Sequence, residues 1–190
     1  MIKAIVFDCF GVLTSDGWLP FAQKYFGDDA VLKREAHDLN KQVDSGFLDY
    51  DSFVHQVANL AKVDLADAHR QIEGNIANQP LFNYIAELKK NYKIGMLSNA
   101  GANWLGRLFT PGQLDLFDAT ALSFELGFIK PDPRAYHTIC KRLGVEPGEA
   151  VFIDDIQRYA TGAQDIGMKG VWYKNNDQLK EELESLLKSS

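Results

Sequence analysis

Four short polar stretches carry side chains that could do chemistry. Asp8 follows the apolar run of residues 3–7, and Ser98 closes the run 93–98. Lys130 sits in the loop segment GFIKPDP, and Asp154 with Asp155 follows the run 149–153. A lone Asp after a strand is usually a helix cap, so none of these speaks strongly alone. Ligands of open parallel sheets bind beyond the carboxyl ends of the strands. If the runs are parallel strands, a carboxylate, a hydroxyl, an amine and two more carboxylates meet in one crevice. Carboxylates this close repel by about 4 kcal/mol per pair at about 4 Å and an effective dielectric of about 20. A divalent cation removes that repulsion, and an all-oxygen donor set favours Mg²⁺, which commonly keeps waters and a substrate phosphate in its shell. The Ser98 hydroxyl and the backbone N–H groups of the next turn can donate to phosphate oxygens. Lys130 is a point charge suited to phosphate and able to hold a carboxylate ionised. Asp8 can then attack as a nucleophile and form an aspartyl-phosphate.

These residues need a frame. Short apolar runs at 3–7, 93–98, 119–123, 149–153 and 170–173 read as strands. Between the later ones lie helical stretches. LFNYIAELKK places Leu81, Tyr84, Ile85 and Leu88 on one face, others fall near 102–109 and 157–166, AYHTICKRLGV is closed by Gly144, and 176–188 is a charged helix. After the first strand no strand pattern appears for about 60 residues. That span instead carries amphipathic helices at roughly 18–26, 29–43, 51–61 and 65–77. Alternation of helix and strand predicts an α/β fold: a Rossmann-like, mostly parallel sheet sandwiched by helices. The expected organisation is a core of residues 1–15 and 79–190 with a helical cap, 16–78, inserted after strand one.

Composition bounds the rest. The 190 residues are 46% hydrophobic and 24% charged, an ordinary globular mix. The formal net charge of -6 lacks the basic footprint of a general nucleic-acid binder. Cys9 and Cys140 build no disulfide framework and have no metal-ligand spacing. The N-terminal apolar run is stopped too early by Asp8 for a signal peptide, and no run approaches about 18 apolar residues. A cytoplasmic protein in a reducing compartment is expected, with no membrane partner. No dinucleotide-type glycine pattern and no P-loop is present.

The four motifs resemble those of the haloacid dehalogenase-like (HAD) hydrolases. They are Asp8-Cys9-Phe10-Gly11-Val12-Leu13, Leu97-Ser98-Asn99, Lys130-Pro131-Asp132-Pro133-Arg134-Ala135-Tyr136 and Phe152-Ile153-Asp154-Asp155. Their order and strand-end placement match. The insertion resembles the small α-helical cap of the branch with phosphoglycolate phosphatases, sugar phosphatases and haloacid dehalogenases. The resemblance implies that Asp8 is nucleophile and metal ligand, and that Phe10 lends its backbone carbonyl to the metal. It implies that Ser98 and Asn99 bind the transferring phosphoryl group and that Lys130 neutralises charge on Asp8 and phosphate. Asp155 is then a Mg²⁺ ligand, with Asp154 holding a metal-bound water.

One departure matters most. Phosphatases resembling this chain usually have a second Asp two residues after the nucleophile, as acid and base. Here Phe10 stands there and transfers no proton. General acid–base catalysis is worth roughly 10²–10⁴-fold. Three readings follow. The favoured one is a Mg²⁺-dependent phosphatase of a small phosphorylated metabolite, monomeric or homodimeric, in which water, a substrate group or a cap residue supplies the proton. The second is a 2-haloacid dehalogenase, which needs no acid; Asp154-Asp155 and Val12 argue against it. The third is a degenerate member that binds a phosphorylated ligand or a protein partner with little turnover, for which Tyr159, where the family often has Asn, is a weak argument.

Other residues have plainer readings. Cys9 should point away from Asp8 and pack. Asp16 reads as a loop residue that could reach the site as a substitute acid. His37, His55, His69 and His137 read as surface or packing residues. Trp18 either lines the substrate pocket or packs the cap. Ser45-Gly46-Phe47 is a turn between cap helices that in the resembling family often faces the active site. Arg134 reads as a surface residue at a helix start.

Overall fold

A computed structural model describes residues 1–188. Its centre is a five-stranded parallel sheet, with β1 (Ala4–Phe7), β2 (Lys93–Ser98), β3 (Ala119–Leu122), β4 (Ala150–Asp154) and β5 (Lys169–Trp172) in the order β3-β2-β1-β4-β5. The chain first winds outward from β1 through β2 to β3, then returns to the other side of β1 as β4. The reversal point is therefore between β1 and β4, where crevices of open α/β sheets form.

Side-chain alternation splits the core into two layers. Ile5, Phe7, Ile94, Met96, Val151 and Ile153 face one side. They pack on Leu81, Phe82 and Ile85 of α5 (Gln79–Leu88), and Leu179 and Leu183 of α11 (Asn176–Lys188) close the same layer. Ala4, Val6, Leu97, Ala150 and Phe152 face the other side. There they meet Tyr136, Ile139 and Leu143 of α9 (Pro133–Leu143) and Ala163 of α10 (Gln157–Asp165). Asn78 and Asp132 cap α5 and α9 by accepting from Leu81 N and Arg134 N, and Gly144 ends α9 in the left-handed region at φ 65°.

Between β1 and β2 lie α1 (Trp18–Phe26), α2 (Ala30–Asp44), α3 (Tyr50–Ala61) and α4 (Leu65–Ile72). They bury an apolar cluster of their own, around Phe21, Phe26, Phe53, Val54 and Val57. Asp29, Asp49 and Asp64 cap α2, α3 and α4 by accepting hydrogen bonds from first-turn backbone N–H groups.

The five strands and the helical insertion match the expected α/β architecture. Details differ where local chemistry overrides periodicity. α4 stops at Ile72 rather than 77, because the returning chain pairs with the outgoing one. Ser15 N donates to Ile76 O at 3.0 Å, Ile76 N to Ser15 Oγ at 2.8 Å, and Thr14 bridges Ala77. The helix expected over 102–109 contracts to α6 (Leu105–Leu108), with Asn103 Oδ1 accepting from Leu105 N. Two one-turn helices were not anticipated: α7 (Pro111–Leu114), held by a Thr110–Gln113 capping box, and α8 (Ser123–Leu126).

Backbone contact between α10 and β5 leaves no room for a side chain at Gly170. A Cβ there would lie 2.1 Å from the Ala160 carbonyl oxygen. Gly170→Ala is expected to lower the unfolding free energy by about 1–3 kcal/mol, read as a lower urea midpoint at unchanged slope.

Candidate active site

Strand parity decides which carboxylates meet. Phe7 pairs with Ile153 across β1 and β4, and Asp8 N donates to Ile153 O at 2.9 Å. Asp8 and Asp154 therefore occupy neighbouring positions and share the sheet face of Val6 and Phe152. Lys130, in the loop ahead of α9, comes up under that face. Its Nζ lies 2.7 Å from Asp8 Oδ1 and 2.6 Å from Asp154 Oδ2. The lysine is completely buried, and its ammonium sits 5.2 Å from the Phe152 ring centre and 5.1 Å from that of Tyr159.

Asp8, Asp154 and Asp155 each offer a carboxylate oxygen, all within 4.8 Å of one another. Asp155 Oδ1 is buried without a hydrogen-bond partner. The loop backbone at Gly11, with φ 84°, lies so close over this carboxylate that a Cβ would come within 2.3 Å of Asp155 Oδ2. Trp172 Nε1 holds the Asp155 carbonyl from β5 at 2.9 Å. Three carboxylates against one ammonium leave two negative charges. An oxygen donor set with that deficit and an orphaned buried oxygen fits a divalent cation.

Protonation follows from burial. Asp8 stands well above the usual carboxylate range, through desolvation first and the Asp154 charge second, with Lys130 opposing. Burial would strip Lys130 of its proton, but the charges and hydrogen bonds of Asp154 and Asp8 hold it above its ordinary value. Asp155 is pushed up to about 6, by desolvation and then by Asp154.

The other expected site residues fall nearby, with uneven commitments. Asp154 is fully enclosed. Its Oδ2 takes the Lys130 ammonium and its Oδ1 accepts from Ile156 N at 2.8 Å. Ser98 is buried at the end of β2, with a 3.4 Å hydrogen bond to the Asn99 carbonyl. The Asn99 side chain clasps the Lys130 main chain: Oδ1 accepts from Lys130 N at 2.8 Å and Nδ2 donates to Lys130 O at 3.3 Å. Phe10 packs on the core and lines the cavity above Asp8. Cys9 is buried on the opposite sheet face, its thiol pushed up by burial and then by the Asp8 charge. Arg134 is paired with Asp132 at 2.6 Å and lies over Phe128, on the surface as read.

A cavity of roughly 300 Å³ opens above these groups, between the sheet edge and α1–α4. Several of its contacts escaped sequence reasoning. Tyr159 OH accepts from Arg158 Nη2 at 2.7 Å and from Asn99 Nδ2 at 3.4 Å. A helix starting just after Asp155 was the signal that could have placed this pair. Tyr50 meets Trp104 edge to face at 4.2 Å, and Glu73 pairs with Arg107 at 2.6 Å. These contacts join residues far apart in the chain, so no local pattern announces them. Trp18 does both things considered for it, lining the cavity and packing on Phe21 and Phe53.

The sequence profile of the haloacid dehalogenase-like hydrolases matches residues 2–167. The chain belongs to that family. Among curated HAD relatives, a phosphatase of Mycobacterium tuberculosis is 27% identical over 95% of this chain and 91% of its own length. A D-ribitol-5-phosphate phosphatase of Bacteroides thetaiotaomicron is 26% identical over 100% of both. A HAD-family enzyme of Bacteroides thetaiotaomicron, solved with magnesium and inorganic phosphate, shares the fold at TM-score 0.70 and 21% identity, over 92% of this chain and 95% of that one.

Two outcomes follow from the buried charges. Lys130→Met leaves Asp8 and Asp154 buried without their counter-ion. A loss of about 3–5 kcal/mol is expected in denaturant titration with a chelator present. The raised carboxyls bind protons more tightly in the folded than in the unfolded chain. The contribution of Asp155 to metal-free stability is thus fully present below the ordinary value of 3.8 and is lost as pH rises through about 6. An added divalent cation competes with those protons, so calorimetry should show it raising Tm more near pH ~7 than near pH ~5.

Proposed function

We propose that this HAD hydrolase is a Mg²⁺-dependent phosphatase of a small phosphorylated metabolite. The observation that carries the reading is the buried group of Asp8, Asp154 and Asp155 around one lysine, with its two uncompensated charges and the unpartnered Asp155 Oδ1. Two full-length relatives that are phosphatases support it. Asp8, Asp155 and the Phe10 carbonyl would hold the cation, with Asp154 alongside. Bound there, magnesium supplies positive charge for the phosphoryl oxygens and for the carboxylates.

The chain's own groups do the rest. Lys130 opposes the burial and the Asp154 charge that raise Asp8, and so favours the ionised form that attacks phosphorus. Cys9 N–H already donates to Asp8 Oδ1 at 2.7 Å, which fixes the carboxylate plane. As the Asp8 oxygen bonds to phosphorus, the bond to the leaving oxygen breaks in line. The Ser98 hydroxyl and the Asn99 main-chain N–H would take the phosphoryl oxygens, and water then releases phosphate from Asp8. Residues 16–78 act as a lid over a core of 1–15 and 79–190. In that role they exclude water and shape the pocket.

The test is a panel of sugar, polyol and nucleotide phosphates with p-nitrophenyl phosphate, in Mg²⁺ and in chelator. Hydrolysis should need the metal and be lost in Asp8→Asn, by about 10³-fold or more for a removed nucleophile. Release of halide from 2-chloropropionate that survives the chelator would overturn the reading. Phe10→Asp restores a proton donor beside the nucleophile. It should raise turnover on alkyl phosphates more than on p-nitrophenyl phosphate, whose leaving group needs little protonation.

A further inference from the structure

We propose that Asp44 is the proton donor to the leaving-group oxygen, in the role Phe10 cannot fill. The inference rests on the phosphatase reading and adds to it the group that completes the reaction.

The geometry begins with position. Asp44 is the last residue of α2 and lines the cavity that also holds Asp8, Lys130 and Asp155. It is clamped against the phosphoryl loop from three sides. Ser123 Oγ donates to the Asp44 carbonyl at 2.5 Å and accepts from Ala100 N at 2.9 Å, linking Asp44 to the residue after Asn99. Next to it, Val43 is packed so tightly on Gly101 that a Cβ on the glycine would lie 2.5 Å from Val43 Cγ2. On the other side Gly46, at φ 75°, lets the turn approach the Phe124 carbonyl to within 2.7 Å of where a Cβ would be. A surface turn has no need of such contacts. They fix the backbone that carries one carboxyl of the insertion in the wall of the cavity it shares with Asp8.

The chemistry of that carboxyl suits an acid. Its Oδ2 accepts from Asn40 Nδ2 at 2.9 Å, and its Oδ1 carries no hydrogen bond among the described residues. Asp16 is the rival carboxyl in the cavity. Its Oδ1 is taken by Trp18 N at 2.7 Å and Leu19 N at 3.2 Å, bonds that favour the ionised form. Asp44 has no such donors from the backbone. Burial first, and the charge of Asp16, push it up to about 7 against the hydrogen bond from Asn40 and the charge of Lys130. Arg158 and Tyr159 of α10, His37 of its own helix, Tyr50 of α3, Glu73 and Arg107 share this cavity with Asp44, and Lys41, Asp132 and Arg134 line the adjoining one. Burial raises both carboxyls, but backbone donors oppose it only at Asp16, so Asp44 is the one left without backbone stabilisation of its ionised form.

The step balances. Asp8 Oδ forms its bond to phosphorus while the bond from phosphorus to the leaving oxygen breaks, and the Asp44 proton goes to that oxygen to give the alcohol. Asp44, now a carboxylate, takes a proton from the water that attacks the aspartyl-phosphate. Phosphate leaves, and both carboxyls return to their starting states.

The experiment compares wild type with Asp44→Asn and Asp16→Asn in Mg²⁺, using p-nitrophenyl phosphate and the best alkyl phosphate of the panel. Asp44→Asn should cut kcat on the alkyl phosphate at least ~10²-fold more than on p-nitrophenyl phosphate. Wild-type kcat on the alkyl phosphate should fall as pH rises through about 7, and this fall should be absent in Asp44→Asn. The p-nitrophenyl phosphate rate reports folding within the same samples. Equal losses on both substrates, a KM rise at unchanged kcat, or leaving-group dependence in Asp16→Asn instead would overturn the proposal. Wild type that hydrolyses neither substrate would overturn the phosphatase reading, and this proposal with it.

Discussion

A lysine with no exposed surface must be matched by negative charge, and Lys130 is matched twice, by Asp8 at 2.7 Å and by Asp154 at 2.6 Å. Removing an ammonium from water costs several kcal/mol, which only close, well-oriented partners offset. That demand constrains the structure around it. β1 and β4 must be neighbours so that their last residues present both carboxylates on one face. The Lys130 main chain must be fixed, and the Asn99 side chain fixes it at the end of β2. The rings of Phe152 and Tyr159 flank the ammonium with their negative faces. The pairing overcompensates, because Asp155 adds a third carboxylate close by. Asp154 and Asp8 keep the lysine protonated, and with Asp155 they form an oxygen cluster that could hold a cation.

The sheet was legible because burial on both faces writes short apolar runs into the sequence, and each run ended in the polar residue that now lines the site. Asp8, Asp154 and Asp155 were singled out this way, since the end of a strand is a local feature, whereas Lys130 lies in the loop beyond α8. The Asn99 side chain is committed to the Lys130 backbone, a use of an amide that no spacing rule announces. The cavity wall was less legible still. Tyr50, Trp104, Glu73 and Arg107 are joined only by the way the inserted helices settle on the core. Asp44 lay beside the Ser45-Gly46 break that the sequence marked, yet nothing local says that a helix end is pressed against the loop after β2.

Contacts between insertion and core are few and of different kinds. An aromatic edge (Tyr50–Trp104), an ion pair (Glu73–Arg107) and a hydroxyl bridge through Ser123 are spread around the cavity rim. Each is small by itself. Exposed or half-exposed ion pairs are worth about 0–1 kcal/mol, and an aromatic pair about 0.5–1.5 kcal/mol beyond its burial. Closer packing is confined to the end of α2, where Val43 lies against Gly101 and Gly46 against the Phe124 carbonyl.

The two chain segments that leave and re-enter the core are hydrogen-bonded to each other through Ser15, Asn75 and Ile76. Asn78 N donates to the Leu13 carbonyl at 2.8 Å, at the foot of that pairing. To the sheet, the whole insertion therefore looks like a hairpin whose two arms meet at its base. Loop-closure entropy grows only with the logarithm of length, about 0.6 kcal/mol for each doubling, and here the closing contacts sit at the neck. Helices beyond the neck can be lengthened, shortened or exchanged at almost no cost to the register of β1 against β2. The architecture lets the helical insertion vary freely while the sheet and the residues at its strand ends stay the same.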